Sequence, residues 1–348
     1  MPTRKGRPFR SLAGTGYASG PSGTYRRRLL AGPALALTLR PPRASAQGRY
    51  PSRPIQLLVP WAAGGGTDAV ARMIGSLLER ELGQPVIVVN RTGGSGVVGH
   101  AAIAHAAPDG HTIGMLTLEI AMMHWVGLTE LTPRSYAPIA LLNQDPAAVL
   151  VNAASPLTDI RALAEALRAA PPRRIKGTGS GRGGSWHLAF VGWLRAMGLP
   201  ADHVLWVPVE GAALGMQELA SGGVDLAACS LPEGKGMIDA RRARPLAVMA
   251  AARNAAFPEV PTLQEALGTD YAAGLWRGIA GPPGLPPEIR QVLGAALDRV
   301  HRSEEFQAFM ATRGFGVSFA DAAGFAGFMD RSDAAMGQAL RDVGLAKG

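Results

Sequence analysis

The chain has 348 residues, a formal net charge of +9 and one cysteine, Cys229. Nine Arg or Lys and no acid fall within residues 1–46, so residues 47–348 carry no net charge. This distribution excludes a basic nucleic-acid-binding surface as the source of the charge, and a single cysteine excludes an intrachain disulfide.

Residues 1–46 are predicted to be an export signal. Arg26-Arg27-Arg28 precedes a short apolar run to Leu39, and Ala44-Ser45-Ala46 offers small residues for cleavage before Gln47. The arginine pair leaves a twin-arginine route open beside the general one, and a basic tail without structure is the plainer alternative. We therefore expect a mature chain that begins at or near Gln47. No later apolar stretch reaches the roughly 20 residues that a membrane-spanning helix needs.

The first part of the mature chain alternates short apolar runs with amphipathic segments. The runs predicted as strands lie at 55–59, 86–89 and 112–116, and a helix is predicted at 97–107. Another helix follows the first strand, where Thr67 or Asp68 can cap it and Gly83 stops it. Its apolar positions have helical spacing and are Val70, Met73, Ile74, Leu77 and Leu78. Strands apolar on both faces favour a parallel sheet covered by helices.

A second series of the same kind begins after Asp145-Pro146. Its predicted strands lie at 148–151, 175–177, 204–207, 226–229 and 246–250, and its helices at 160–169, 186–197 and 212–220. The chain is expected to return to the first unit near 276–280 and to continue with helices at 287–301 and 303–313. The fold class is therefore α/β, with two doubly wound lobes joined by a two-crossing hinge near Gln144 and Gly274. The predicted lobes are 47–144 plus 273–348, and 145–272.

Two glycine turns follow the first two strands. They read Gly64-Gly65-Gly66 and Gly93-Gly94-Ser95-Gly96. A glycine turn between the end of a strand and the start of a helix presents backbone N–H groups at a positive dipole end, which is a place to hold an anion. We expect Gly65 or Gly66 to need a positive φ in the first turn.

A third glycine loop, 179–184, fits the pattern G-x-G-x-x-G and allows two functions. As a dinucleotide fingerprint it would indicate a nucleotide-dependent oxidoreductase, but the acid that this motif requires is missing after the following strand, since Asp202 precedes that strand. As a ligand loop it would present the hydroxyls of Ser180 and Ser185 to a cleft. A helix cap without a ligand is the third alternative.

No catalytic or metal-binding constellation is evident in the sequence. His124, His187 and His203 have no carboxylate or cysteine at metal-ligand spacing. Cys229 lies in an apolar run and is expected to be a buried packing residue. We therefore predict neither an enzyme nor a cofactor.

Many short segments, in order, resemble one family, the substrate-binding proteins of tripartite tricarboxylate transporters, also called Bug receptors. The matching stretches are 50–55, Trp61 to Asp68, 82–86, Asn90-Arg91, 106–110, 177–189, 207–211, 222–225, 258–262 and 281–287. The resemblance implies a periplasmic receptor with the type II periplasmic-binding fold that closes over one small organic acid. It implies a monomer that delivers this acid to a membrane carrier, and it also allows a sensor role.

The resemblance also implies which residues face the ligand. The first lobe would contribute Trp61, Ala63, Gly66, Thr67 and Asp68, with Asp68 holding the loop, and the segment Thr117 to Glu119. The second lobe would contribute Ser180, Gly181, Arg182, Ser185, His187, Glu210 and Ser230.

Two acids depart from the family pattern, Glu119 and Glu210. Facing a cleft, they would repel a dicarboxylate and favour an acid with an amine; facing solvent, they would have no such effect. Trp186 and Trp276 either stack on an aromatic ligand or belong to the core.

Overall fold

The computed structural model describes residues 50–347, and the export-signal prediction for residues 1–46 lies outside them. The strands in these residues are β1 (Ile55–Val59), β2 (Val86–Asn90), β3 (Thr112–Thr117), β4 (Ala137–Pro146), β5 (Ala148–Asn152), β6 (Lys176–Thr178), β7 (Leu205–Trp206), β8 (Leu226–Cys229), β9 (Ala243–Val248), β10 (Gly274–Gly281) and β11 (Val317–Ala320).

The helices are α1 (Gly66–Leu82), α2 (Val97–Ala104), α3 (Ile160–Ala169), α4 (Ser185–Ala196), α5 (Ala212–Ser221), α6 (Leu231–Asp239), α7 (Leu263–Leu267), α8 (Pro287–Arg302), α9 (Glu304–Arg313) and α10 (Ala322–Asp342). Two short 3₁₀ turns lie at Leu118–Ala121 and Pro133–Ser135. None of the helices within residues 50–347 is long and apolar enough to cross a bilayer.

The first sheet has the order β11-β4-β10-β3-β1-β2. β1 pairs in parallel with β2 and β3, as expected, but β10 is antiparallel to both β3 and β4. The parallel sheet expected from the first three strands is therefore present, and β10 and β4 extend it into a mixed sheet. β3 ends at the boundary with the second sheet, whereas β10 starts there on its return, so the two strands run in opposite directions.

The second sheet has the order β7-β6-β8-β5-β9 and is also mixed, because β5 is antiparallel to β8 and β9. The chain passes from the first sheet to the second with only Ala147 between β4 and β5, and it returns between β9 and β10. The two crossings are hydrogen-bonded to each other, since Ala147 N–H donates to Ala273 O at 2.8 Å. We call the sheet with β1–β4, β10 and β11 and its helices lobe I, and the sheet with β5–β9 and its helices lobe II.

Helix α1 illustrates how the local sequence builds lobe I. Val70, Ile74 and Leu78 are fully buried against the sheet and α8, and burying a side chain of this size contributes about 2 kcal/mol. The helix ends at Gly83, which adopts φ 66° as expected for a left-handed cap. The predicted start needs correction, because Gly65 is the N-cap and no side chain caps the helix.

Five of the helices and strands were not anticipated from the sequence, namely β4, β11, α6, α7 and α10, and β10 was expected only as the place where the chain returns to the first unit. The most consequential is α6, because it brings an acid to the boundary between the lobes. Its start carries the pattern Ser230-Leu231-Pro232-Glu233, which is typical of a helix beginning.

Candidate functional site

A small cavity lies where the two lobes meet. Its volume is about 20 Å³, which accommodates one or two water molecules. A larger ligand therefore requires the walls to move apart. The walls are formed by Trp61, Ala62, Gly65, Gly66, Thr67, Glu119, Ser180, Ser185, Trp186, Gly211, Ala212, Ala213, Glu233 and Leu275.

The lobe I wall is the glycine turn between β1 and α1. Gly64 has φ 83°, whereas Gly65 has φ −81° and Gly66 begins the helix. The expectation of a positive φ at Gly65 or Gly66 is therefore wrong. Gly66 is needed for a different reason, because a Cβ there would lie 2.5 Å from Cγ of Glu233.

Asp68 holds this turn from behind. Its Oδ2 accepts the Gly64 N–H at 2.9 Å, and its Oδ1 accepts Asn90 Nδ2 at 3.0 Å. Burial alone would raise the pKa of Asp68, but the hydrogen bonds from Arg72, Gly64 and Asn90 outweigh it and lower that pKa. The aspartate stays ionised and holds the loop through the Gly64 N–H.

Two N–H groups in the first turn of α1 have no hydrogen-bond partner within residues 50–347. Within residues 50–347, the N–H groups of Gly66 and Thr67 donate no hydrogen bond, and both residues line the cavity. Such groups carry the positive end of the helix dipole. This end of the cavity can hold an anion.

The amino end of α4 forms the facing wall in lobe II, and there the arrangement differs. The Ser185 N–H donates to Oε1 of Glu119 at 3.1 Å, across the lobe boundary. The His187 N–H donates to Ser180 Oγ at 3.1 Å, and the Gly183 N–H donates to His187 Nδ1 at 3.0 Å. The N–H groups of this helix end are therefore largely bonded to the chain itself.

Glu119 points inward and is only 3% exposed. Of the two orientations left open by the sequence, the one in which Glu119 faces solvent is excluded. Its Oε2 accepts the hydroxyl of Thr117 at 2.6 Å, and Thr117 in turn accepts Trp61 Nε1 at 3.2 Å.

Behind Thr117, fully buried His100 donates from Nδ1 to Gly96 O at 2.8 Å. Burial lowers the pKa of His100 to about 4, although the charge of Glu119 opposes this effect.

Glu210 also reaches the other lobe. Its Oε1 accepts a long hydrogen bond of 3.4 Å from the Ser95 N–H in the second glycine turn. In the same region Gly181 packs so closely on Ser95 that a Cβ on Gly181 would lie 1.9 Å from the serine Oγ. The second turn thus faces the chain's own acid.

A buried charged cluster lies beside the cavity, and sequence reasoning missed it. Fully buried Arg277, on β10, donates from Nε to Thr67 Oγ1 at 2.9 Å and from Nη2 to Glu233 Oε1 at 2.9 Å, and it also pairs with Asp145. Burial raises the pKa of Glu233, partly offset by Arg277. An arginine inside an apolar strand was the available signal, because such residues are buried only when paired.

The remaining predicted residues lie farther from the cavity. Ala63 is exposed at the turn, and exposed Arg182 lines a separate pocket with Arg173 and Asp202. Ser230 is fully buried, and its N–H donates to Glu233 Oε2 at 3.2 Å.

Two tryptophans were candidates for ligand stacking, and they differ. Trp186 lines the cavity, whereas Trp276 packs edge-on against Phe325 and Phe328.

Cys229 is buried, as predicted. No group of three or more His, Cys, Asp or Glu side chains in residues 50–347 is arranged to hold a metal ion.

Known proteins are similar to this chain in sequence and in fold. The profile of the tripartite tricarboxylate transporter family receptor matches residues 70–345. A UPF0065 protein in the tcbD–tcbE intergenic region of Pseudomonas sp. strain P51 is 34% identical over 277 residues, covering 79% of this chain and 81% of the relative.

Two solved structures extend the comparison. The periplasmic binding protein BugD is 26% identical with a TM-score of 0.80, covering 86% of this chain and 100% of BugD. MatC from Rhodopseudomonas palustris, with bound malate, is 25% identical with a TM-score of 0.76, covering 84% of this chain and 100% of MatC.

These relatives are solute-binding receptors rather than enzymes, so the oxidoreductase alternative for the loop 179–184 is not supported. The two-lobed fold is that of periplasmic binding proteins. The resemblance noted in the sequence is thereby confirmed, and the chain belongs to the receptor family of the tripartite tricarboxylate transporters.

Proposed function

We propose that this chain is an exported receptor that binds one small organic carboxylate between its lobes for uptake or sensing. The observation that carries the proposal is the pair of N–H groups of Gly66 and Thr67, which face the cavity without a partner in residues 50–347. A carboxylate has two acceptor oxygens and the negative charge that suits a helix amino end. The malate bound to MatC supports the same ligand class.

The groups around this position complete the proposed ligand site. Trp61 and Trp186 offer aromatic side chains to the remainder of the ligand, and Glu119 and Glu233 offer acceptors. An amine or an aromatic ring on the acid would suit this wall. Of the residues expected to face the ligand, those that line the cavity are the proposed contacts, namely Trp61, Gly66, Thr67, Glu119, Ser180 and Ser185.

Entry of such a ligand requires the walls to separate, because the cavity holds only one or two waters. We propose that lobes of 47–144 plus 273–348, and of 145–272, rotate about the two crossings. Closure then removes water from around the carboxylate and strengthens each hydrogen bond to it.

Export and partners complete the proposal. A signal in residues 1–46 would be cleaved before Gln47, by the general or the twin-arginine route. The mature chain would act as a monomer that delivers its ligand to the membrane components of a tripartite tricarboxylate transporter. Amino-terminal sequencing of periplasmic protein tests the first point, since an intact Met1 in a cytoplasmic fraction would contradict export.

Mass spectrometry of purified mature protein after denaturation tests the ligand class directly. We expect a released small carboxylic acid, and a thermal-shift screen should show that organic acids raise the melting temperature. Release of a dinucleotide instead, or stabilisation by no carboxylic acid at all, would contradict the proposed function.

A further inference from the structure

Glu119 places a carboxylate of the protein where a second ligand anion would otherwise be held. Its Oε1 accepts the Ser185 N–H at 3.1 Å, at the first residue of the twelve-residue helix α4. That helix belongs to lobe II, whereas Glu119 follows β3 of lobe I. The side chain lines the same cavity as Gly66 and Thr67, whose N–H groups are free within residues 50–347.

The surrounding residues hold this carboxylate in place. Thr117 uses its hydroxyl as a donor to Glu119, at 2.6 Å, while its lone pair accepts the indole N–H of Trp61 at 3.2 Å. Both partners are buried. A carboxylate that accepts a hydrogen bond at each oxygen does not turn away at low cost, because turning would break both bonds.

The charges around the cavity add to the effect of Glu119. Glu233 lines the same cavity, and the only buried cation beside it within residues 50–347, Arg277, is shared between Glu233 and Asp145. Glu233 lies at the start of α1, where a Cβ on Gly66 would be 2.5 Å from its Cγ, and Arg277 offsets its charge there. A ligand that has placed one carboxylate on α1 would bring a second one toward Glu119, whose partners within residues 50–347 are the Thr117 hydroxyl and the Ser185 N–H rather than a cation. Like charges in a partly dry site repel each other strongly.

We propose that Glu119 is a specificity-determining residue that excludes dicarboxylates and selects monocarboxylates whose far end donates hydrogen bonds or carries a positive charge. The inference rests on the proposed function, and it names the ligand class for that site. Relatives can differ in this respect, since MatC was solved with malate, a dicarboxylate.

A purely structural role for Glu119, as a contact that keeps the lobes together, makes a different prediction. Losing such a contact would weaken or strengthen all ligands by a similar factor. A specificity role changes the ratio between diacids and their amide or amine counterparts. The ratio is therefore the quantity to measure.

Calorimetry with matched probes measures this ratio. Succinate, succinamate and β-alanine share a chain length and differ only at the far end, as do adipate, its monoamide and 5-aminopentanoate. In the wild-type protein we expect the amide or amine member of each set to bind at least about tenfold more tightly than the diacid. In Glu119→Gln, which keeps the shape and removes the charge, the ratio should move by about tenfold or more toward the diacid.

Glu165→Gln is the matched control, because Glu165 is exposed on α3 and the charge change is the same. Its ratios should equal those of the wild type. A ligand-independent readout accompanies the titrations, since the amide resonance of Ser185 should shift in Glu119→Gln and stay in place in Glu165→Gln.

The outcomes separate the inference from the function on which it rests. Diacids that bind the wild type as tightly as the amides and amines overturn the role of Glu119, while a carboxylate receptor remains. An unchanged ratio in Glu119→Gln also overturns it. Failure of every probe to bind either protein would contradict the carboxylate site and the inference together.

Discussion

Two helices direct their amino ends at the cavity, and they differ in what meets them. Both α1 and α4 follow a strand and a glycine turn. The N–H groups of Gly66 and Thr67 have no partner in residues 50–347, whereas the Ser185 N–H is bound to Glu119, 66 residues away in sequence. A local motif therefore specifies where an anion can be held, and the facing lobe decides whether that position is available to a ligand.

The largest expected effect concerns Arg277, which supports Thr67 on the α1 side. Arg277→Met would leave Asp145 and Glu233 buried without their cation, at a cost of about 3–5 kcal/mol. The free energy of unfolding from urea titration should fall by that amount. Arg299→Met is the control, since its ion pair with Glu81 is largely exposed and should contribute about 1 kcal/mol or less. Equal losses in the two variants would contradict the buried cluster.

The next effect concerns His187, whose ring accepts a loop N–H on the α4 side. Burial, with a contribution from Arg182, lowers the pKa of His187 to about 4, whereas an unfolded histidine titrates near 6.5. The unfolded chain takes up this proton first, so stability falls as the pH decreases from about 6.5 to 4.

In His187→Gln the free energy of unfolding should fall by up to about 3 kcal/mol less between pH 6.5 and pH 4 than in the wild type. Urea titrations across this pH range compare the two proteins, and His100 contributes equally to both. Parallel stability profiles would show that His187 does not titrate in this way.

A smaller effect is expected from crowding at the start of α1. The Cβ of Gly66→Ala would push against Glu233, and overpacking of this kind costs about 1–3 kcal/mol. Calorimetry should show carboxylate affinity reduced by about tenfold or more. Gly65→Ala should stay within about threefold of the wild type, because its Cβ meets no atom closer than 3.5 Å. Similar affinities for the two variants would show that Glu233 does not pack against this turn when the ligand is bound.

The smallest effect separates side-chain from backbone contributions at α4. Ser180→Ala removes the acceptor of the His187 N–H, and loss of a capping hydroxyl costs about 1 kcal/mol. Ser185→Ala should change stability less, because Ser185 bonds to Glu119 through its backbone. Thermal unfolding compares the stabilities of the two variants. A larger loss of stability in Ser185→Ala than in Ser180→Ala would contradict the capping role of the Ser180 hydroxyl.

The sequence predicted those parts of the molecule that local patterns determine. The buried positions of α1 and its stop at Gly83 follow from spacing and from glycine's conformational freedom. Strand β4 was missed because its run passes directly into β5 with a single residue between them. The prediction ends at residue 313 and omits helix α10, although Asp321 is an N-cap residue that marks its start.

The site was less predictable than the fold. Trp61, Gly66, Thr67, Glu119, Ser180 and Ser185 were expected there and do line the cavity. Glu233 and Arg277 were not expected, because their contact joins residues 44 positions apart. The sequence also does not show which way a side chain points. Arg182 was expected to face the ligand, but it is exposed.

The two hydrogen-bonded crossings have a mechanical consequence for the molecule. A rotation about them displaces each group in proportion to its distance from the axis, as in a lever. Asp145 and Arg277 lie within a few residues of the crossings and would keep their contact throughout the proposed rotation. We expect the proposed rotation to break the contact of Ser95 with Glu210 early, because a single long hydrogen bond of 3.4 Å holds it across the lobe boundary. Substitutions near the pivot should then alter folding, and those at the rim should alter the balance of conformations, which small-angle X-ray scattering can follow.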